Sequence, residues 1–456
     1  MARPRKNADA SRASLLPESA PLPEIPVREQ PYPLPEGWKW VRLGDVYTIN
    51  PKNEINDSTL VSFVPMEKIS PGMTGVFTFE TRNWEKVKRG YTHFADGDVA
   101  FAKISPCFEN RKSMIVHGLE NGYGAGTTEL IILRQPNILQ KYTFFIISTD
   151  DFIQKGVQTY SGTVGQQRIS IDFVRNYPIP LPPREEQERI VGHIESLFAR
   201  LDEARQKAEA VRDSVALRRA AILHKAFTGE LTAKWREEQG ISKESWEKKD
   251  FAHIITNIEA GKNVRCEERP PRENEAGIIK VSAVTWGFFN EMESKTCPDP
   301  SLYNENIQIK KGDFLFSRAN TLQLVGNCVI VENITKKLML SDKILRFSLD
   351  ECTLKNYLLF FSLSDQYRSQ IENAASGNQD GMRNISQKKL LGLTIPLPTL
   401  PEQREIVRLL DDLLGGERRI GEAADAVVAH IERMKKAILA RAFRGELGRA
   451  DRPSRA

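Results

Sequence analysis

Two stretches, "IPLPPREEQERIV" from Ile179 to Val191 and "IPLPTLPEQREIV" from Ile395 to Val407, write one phrase twice at an offset of 216 residues. Each couples an apolar run closed by prolines to a pattern with helical spacing. Proline has a fixed φ and no backbone N–H, so it suits a strand end or the first turn of a helix and neither interior. The phrase therefore reads as a strand end passing directly into a helix. Carried forward without a gap to "GEL" at Gly229 and Gly445, the match keeps roughly 20 identities in about 53 positions, which marks a duplicated unit. Upstream it weakens but persists: "GDVAFAKI" at Gly97 matches "GDFLFSRA" at Gly312, "YTFFIIS" at Tyr142 matches "YLLFFSL" at Tyr357, and "RIS" at Arg168 faces "RNIS" at Arg383.

Each half is thus a variable region followed by a stricter tail. The variable regions, 34–182 and 236–398, mix short β-rich runs ("VAFAKI", "ELIILR", "NCVIVE", "ILRFSL") with helix-like stretches around Phe144 and Leu358, and each reads as a compact α+β domain. The tails, 183–235 and 399–447, carry apolar or small residues in alternating steps of four and three. The first stripe is Ile190, Ile194, Leu197, Leu201, Ala204, Ala208, Val211, Val215 and Ile222, with a miss at Arg218. The second is Ile406, Leu410, Leu413, Ile420, Ala424, Val427, Ile431, Met434 and Ile438, with a polar step at Glu417. These are heptad seams, each about 50 Å long as helix and longer than one side of a domain of about 150 residues, so the two helices are expected to bury them on each other. The alternative, each stripe packing on its own domain, accounts for only part of that length. Gly415–Gly416 is expected to bend the second helix. Before the first domain, "LPESAPLPEIPVREQPYPLPEGW" forbids regular structure and reads as an extended tether within a basic tail, 1–33; a short tail, 448–456, ends the chain.

Bulk properties bound the function. The chain has 456 residues, enough for two or three cores, and 65 Lys and Arg against 60 Asp and Glu, a mild +5 compatible with nucleic acid. Five scattered cysteines without a C-x-x-C pair read as reduced thiols and not as a disulfide framework or zinc site. No apolar run approaches about 20 residues and no secretion signal is visible, so a cytoplasmic protein without a membrane span is expected. Catalytic patterns are missing too. There is no phosphate-binding G-x-x-x-x-G-K-[ST] loop. "INPKN" at Ile49 lacks the second proline and the aromatic of a base-clamping methyltransferase motif. Glycines 122, 124 and 126 in "NGYGAGTTELIIL" lead into a strand, whereas a cofactor loop leads into a helix. "SWEKKD" lacks the upstream acid that a metal-dependent nuclease needs, and no two of the six histidines are spaced as ligands.

Two variable domains, each followed by the repeated phrase and a heptad helix, resemble the specificity subunit of type I restriction-modification systems. The resemblance covers nearly the whole chain. It rests on the PLP-x-x-x-EQ-x-x-IV phrase, the helix ends "KAFTGEL" and "RAFRGEL", the lead-in "LPEGWKWVRLGDV" and the tandem order. The second lead-in, "SWEKKDFAHII", keeps the Trp and little else. What the resemblance implies is a chain without catalytic, metal-binding or cofactor-binding residues of its own. In that family two target recognition domains each read half of a split, asymmetric double-stranded DNA site. Two long helices form an antiparallel coiled coil with pseudo-two-fold symmetry, which separates the domains and docks two adenine methyltransferase subunits. S-adenosylmethionine belongs to those partners, and ATP and magnesium to a restriction or translocase subunit. The rivals are a self-sufficient DNA-modifying enzyme with an unrecognised site and a coiled-coil scaffold that reads no sequence.

Readout of base edges calls for Arg or Lys toward guanine and Asn or Gln toward adenine, with further cations for phosphates. Two segments in each half concentrate such residues. "KISPCFENRKS" offers Lys103, Ser105, Asn110, Arg111 and Lys112, and its counterpart offers Arg318, Asn320, Thr321 and Gln323. "YSGTVGQQRIS" offers Ser161, Thr163, Gln166, Gln167 and Arg168, and "ASGNQDGMRNIS" offers Ser376, Asn378, Gln379, Arg383 and Asn384. Ordinary polar turns are the competing reading for both. Lys86, Lys88 and Arg89 in "RNWEKVKRG" suit phosphates or a solvated surface equally.

Overall fold

The computed structural model describes residues 23–447 except 164 and 378–381. The chain divides into two compact units: one runs to Lys207 and resumes at Val427, and the other is Ala208–Ala426. Each unit holds one α+β domain together with one end of both long helices, Arg184–Thr228 and Leu400–Phe443.

In the first unit Lys39–Arg42 pairs antiparallel with Pro178–Leu181, so the lead-in and the repeated phrase close the domain together. This two-stranded ribbon tolerates its prolines because an edge strand need not donate on both sides. A four-stranded sheet has the order Thr48–Ile49, Leu130–Arg134, Val99–Ala102, Ser113–Ile115, and a second has the order Glu80–Asn83, Leu60–Val64, Tyr123–Gly126, Thr92–Ala95. The second unit repeats the plan. Glu247–Asp250 pairs with Thr394–Leu397, and the order Ile255–Ala260, Ile344–Leu349, Phe314–Ser317, Cys328–Ile330 repeats the first sheet; a further sheet has three strands and another has two. The second lead-in thus keeps the topology although it has lost the sequence. A short helix, Ala233–Gln239, follows the first long helix and anchors to the second through Arg236 and Glu402.

The repeated phrase has a mechanical explanation. Gln187, 3% exposed, donates to the Pro182 carbonyl (3.0 Å) and accepts from the Leu139 N–H (3.1 Å). Gln403, fully buried, does the same with the Pro398 carbonyl (2.9 Å) and the Leu354 N–H (3.0 Å). Tyr142 and Tyr357 donate to the carbonyls of Pro180 (2.7 Å) and Pro396 (2.6 Å). The far helix ends then exchange partners. Phe443, ending the second helix, packs on Tyr142 at 5.3 Å between ring centroids, and Phe227, ending the first, packs on Tyr357 at 5.4 Å. Each domain therefore holds the start of its own helix and the finish of the other, which requires antiparallel pairing and explains why both ends of the tail are repeated.

The seam differs from expectation by one column. Leu410, Ala424 and Ile431 are buried, but Leu413, Ile420, Val427 and Met434 are 40–45% exposed. The inward positions are their neighbours Leu414, buried, Gly421, which faces Val215, and Lys435, 8% exposed. On the first helix Phe198 is buried, whereas Ala204 and Val211 are exposed. Ion pairs occupy the displaced column: Lys435 with Asp202 (2.5 Å) and Arg205 with Glu432 (2.8 Å) in the first unit, and Arg218 with Glu417 (2.8 Å) in the second. Long cationic side chains lay their stems along the seam and carry the charge to its rim. The second helix runs through Gly415–Gly416 without interruption.

One further expectation is corrected. Within the N-terminal tail, the stretch from Ile25 to Tyr32 is docked on the first domain and is no free tether. Ile25 is buried and donates to the Trp40 carbonyl (2.8 Å), the Trp40 indole donates to the Tyr32 carbonyl (2.9 Å), and the Tyr32 hydroxyl donates to the Phe443 carbonyl (3.0 Å). Prolines prevent helix and sheet there but leave aromatic packing open. All five cysteines are free thiols, and two of them lie close together. Cys266 and Cys297 lie with their Sγ atoms 3.5 Å apart, flanking the antiparallel bridge of Glu267 and Thr296. Oxidation by hydrogen peroxide or oxidised glutathione is expected to join them, lowering the count of five free thiols by two. Thiol titration and non-reducing peptide mapping check this, and an unchanged titre would contradict the pairing.

Candidate nucleic-acid interface

The two polar segments singled out in each half are brought side by side by backbone pairing. In the first unit the Lys103 N–H donates to the Glu129 carbonyl (2.8 Å), the Ile169 N–H to the Lys103 carbonyl (3.0 Å) and the Ser105 N–H to the Gln167 carbonyl (2.8 Å). Bridges at Ile104–Arg168 and Ser161–Arg168 complete the ladder. The second unit builds it again. The Arg318 N–H donates to the Lys343 carbonyl (3.0 Å), the Ile385 N–H to the Arg318 carbonyl (3.0 Å), and Ala319–Asn320 pairs with Arg383–Asn384. Ser376 bridges Asn384 as Ser161 bridges Arg168. Asn378 and Gln379 lie outside the described residues.

Side chains on the ladder divide by what they already touch. Gln166 and Thr163 are exposed, and Lys103, Gln167 and Arg318 are half-buried. Among the described residues no carboxylate pairs with Lys103, Arg318 or Arg383. Arg383 donates from Nη1 to the Gly377 carbonyl (2.8 Å). Others are engaged within their own domain. Arg111, at a positive φ of 52°, donates from Nε to the Ser148 carbonyl (3.1 Å) and pairs with Asp150; Lys112 donates to the Met66 carbonyl (2.9 Å). Ser105 donates to Glu109 (2.9 Å), and Asn320 reaches Thr285 (3.4 Å) while accepting from the Thr321 N–H (2.8 Å). Asn110 is exposed, but its carbonyl accepts from the Gly72 N–H (2.8 Å). Gln323 is exposed and its carbonyl accepts from Arg368 (3.3 Å), and the Ser376 hydroxyl donates to the Asn384 carbonyl (3.2 Å). Away from the ladder, Lys88 pairs with Asp57 (2.5 Å), and Lys86 and Arg89 have no ion-pair partner among the described residues.

One residue on the ladder carries no mark in the sequence. Glu129, in the turn before Leu130–Arg134, accepts from Arg168 twice, at 2.9 Å from Nε and 2.8 Å from Nη2. This bond raises the Arg168 pKa above its ordinary value. No local pattern marks Glu129, because its partner lies 39 residues away. The glycines just before it are packing glycines: a Cβ on Gly124 would lie 2.2 Å from the Phe94 ring, and one on Gly126 would lie 2.6 Å from the Val64 carbonyl oxygen. Among the described residues no group of His, Cys, Asp and Glu is placed to hold a metal ion, and no helix is long and apolar enough to cross a membrane.

A duplicated α+β domain that presents the same polar ladder twice, joined through two long antiparallel helices, defines a tandem reader. Residues 35–211 and 249–421 each match the family model for the type I restriction modification DNA specificity domain. The chain belongs to that family and carries two copies of its domain. The type I restriction enzyme EcoEI specificity subunit of Escherichia coli is 32% identical over a 476-residue alignment, covering 86% of this chain and 80% of that one. The EcoAI specificity subunit of Escherichia coli is 41% identical over 206 residues, 44% of this chain and 35% of that protein. A chain from a solved type I R-M system assembly shares the fold with a TM-score of 0.72 at 22% identity, covering 91% of this chain and all of that one. The HsdS subunit from Thermoanaerobacter tengcongensis does so with a TM-score of 0.60 at 21% identity, covering 92% of this chain and all of that one.

Proposed function

We propose that the chain is the non-catalytic DNA-reading subunit of a type I restriction-modification complex, in which each domain recognises one half of a bipartite, asymmetric double-stranded target. The repeated ladder of Lys103, Gln167 and Arg168 in one unit and Arg318, Arg383 and Asn384 in the other carries this reading. Such donors at equivalent places suit base edges and phosphates, and two different sets imply two different half-sites. The paired helices set the spacing and dock two copies of one adenine methyltransferase. The methyl donor, S-adenosylmethionine, is bound by those subunits, and ATP with magnesium by a restriction subunit where one joins.

Two measurements test this. Native mass measurement of the co-expressed complex is expected to find two methyltransferase subunits per chain, and a complex that saturates at one contradicts the duplicated docking surface. Incubating the purified chain alone with DNA and labelled S-adenosylmethionine is expected to transfer no label. Reproducible transfer without a partner would make the chain an enzyme.

A further inference from the structure

An arginine locked in a salt bridge is ordinarily unavailable to a ligand, and Arg168 is held unusually fully. Its Nε and Nη2 donate to the two carboxylate oxygens of Glu129, and its Nη1 donates to the Gln166 carbonyl at 2.9 Å. A guanidinium has five N–H donors. Three are used, which leaves one on each terminal nitrogen, the fork whose spacing matches O6 and N7 of guanine. The guanidinium is also reachable, since its side chain is 42% exposed against 22% for Glu129. Glu129 therefore grips the Nε–Nη2 edge, and one N–H on each terminal nitrogen remains for a base.

The second unit lacks this arrangement. The backbone ladder that places Glu129 beside Lys103 places Lys343 beside Arg318, so the carboxylate is replaced by an ammonium at the equivalent position. Among the described residues Arg318, Lys343 and Arg383 have no carboxylate partner, and the Arg383 side chain donates to the Gly377 carbonyl. Three cations with no counter-ion among the described residues suit the phosphate backbone, where position matters less than charge.

Resting on the DNA-reading role proposed above, we infer that Glu129 is a specificity-positioning residue that aims Arg168 at a guanine in the first half-site, whereas Lys343 at the equivalent position makes the matching surface of the second domain a phosphate anchor. Arg168 without its carboxylate keeps its charge but loses its fixed plane. It then attracts phosphate as well as guanine, and discrimination falls at one base.

The test uses the full-length chain in its methyltransferase complex, with methylated sites mapped by sequencing across a genome. Thermal melts show that each variant folds. E129Q, which keeps the shape and removes the charge, is expected to relax preference at one base of the first half-site by about 5- to 150-fold and to leave the second half-site unchanged. E129D is expected to restore part of that preference. K343E is expected to weaken binding and lower the slope of log affinity against log salt by about one, without changing any base preference. If E129Q preserves discrimination at every base, or loosens both half-sites alike, Glu129 does not position Arg168. If K343E alters base preference, the phosphate assignment for Lys343 is wrong. A wild-type complex that yields no two-part motif would instead overturn the DNA-reading role itself, a result visible before any variant is made.

Discussion

Replacing Glu402 with alanine is expected to destabilise the second unit by about 3–5 kcal/mol, because it leaves a buried cation without its counter-charge. Glu402 is fully buried and accepts from Arg236 Nη1 (2.5 Å), the Thr232 hydroxyl (2.7 Å) and the Trp246 indole (2.9 Å); the Arg236 side chain is only 7% exposed. Arg236 also donates from Nη2 to the Gly229 carbonyl at 2.6 Å, so one carboxylate ties the end of the first helix, the short helix after it and the domain lead-in to the start of the second helix. Desolvating both charges costs nearly as much as their attraction returns, so R236M/E402M, which removes both, is expected to cost less than E402A alone. Urea unfolding of the full chain decides the matter. A loss below about 1 kcal/mol for E402A would show that water reaches the site and the pair is not structural.

The second large effect concerns spacing. Four residues inserted between Ala204 and Val211 lengthen the first helix by about 6 Å, comparable to two base pairs at about 3.4 Å each, and rotate the downstream part of the helix by about 40°. Alone, the insertion moves Arg205 and Arg218 out of register with Glu432 and Glu417, and the complex is expected to lose activity. A matched insertion between Ile420 and Val427 restores the pairing of both ends. The double-insertion protein is expected to keep both half-site sequences and to modify targets whose unspecified spacer has grown by a base pair or more, with weaker binding. Methylation mapping reads this directly. An active double variant that still modifies only the original spacing would make the helices a docking post and not a ruler.

The buried glutamines explain why so much was readable in one dimension. Gln187 and Gln403 each bond a carbonyl five residues before them, and the tyrosines that pack beside them recur at nearly the same offset as the phrase itself. Contacts made twice by one rigid arrangement leave the same letters twice. The variable domains carry no such constraint on their surfaces, so the polar segments were visible as composition only. Which of their side chains are free was not: Arg111 and Lys112 look as suitable as Arg168, yet Asp150 and the Met66 carbonyl engage them within the domain.

By itself the sequence determined the duplication, the two α+β domains, the strand-to-helix passage and the two long helices, because all of these arise from local periodicity, proline chemistry and a fixed offset. Tertiary structure alone decided the rest. Adjacent helix positions differ by about 100°, and when both flanks of a stripe hold apolar residues the period cannot choose between them. The choice fell to Lys435 and Arg205, whose partners Asp202 and Glu432 come from the opposing helix and turn Met434 and Ala204 outward. The docking of Tyr32 on Phe443, the thiol pair of Cys266 and Cys297, and the grip of Glu129 on Arg168 join residues 411, 31 and 39 apart. No local pattern encodes such a meeting, since its energy depends on where the whole chain has already been folded.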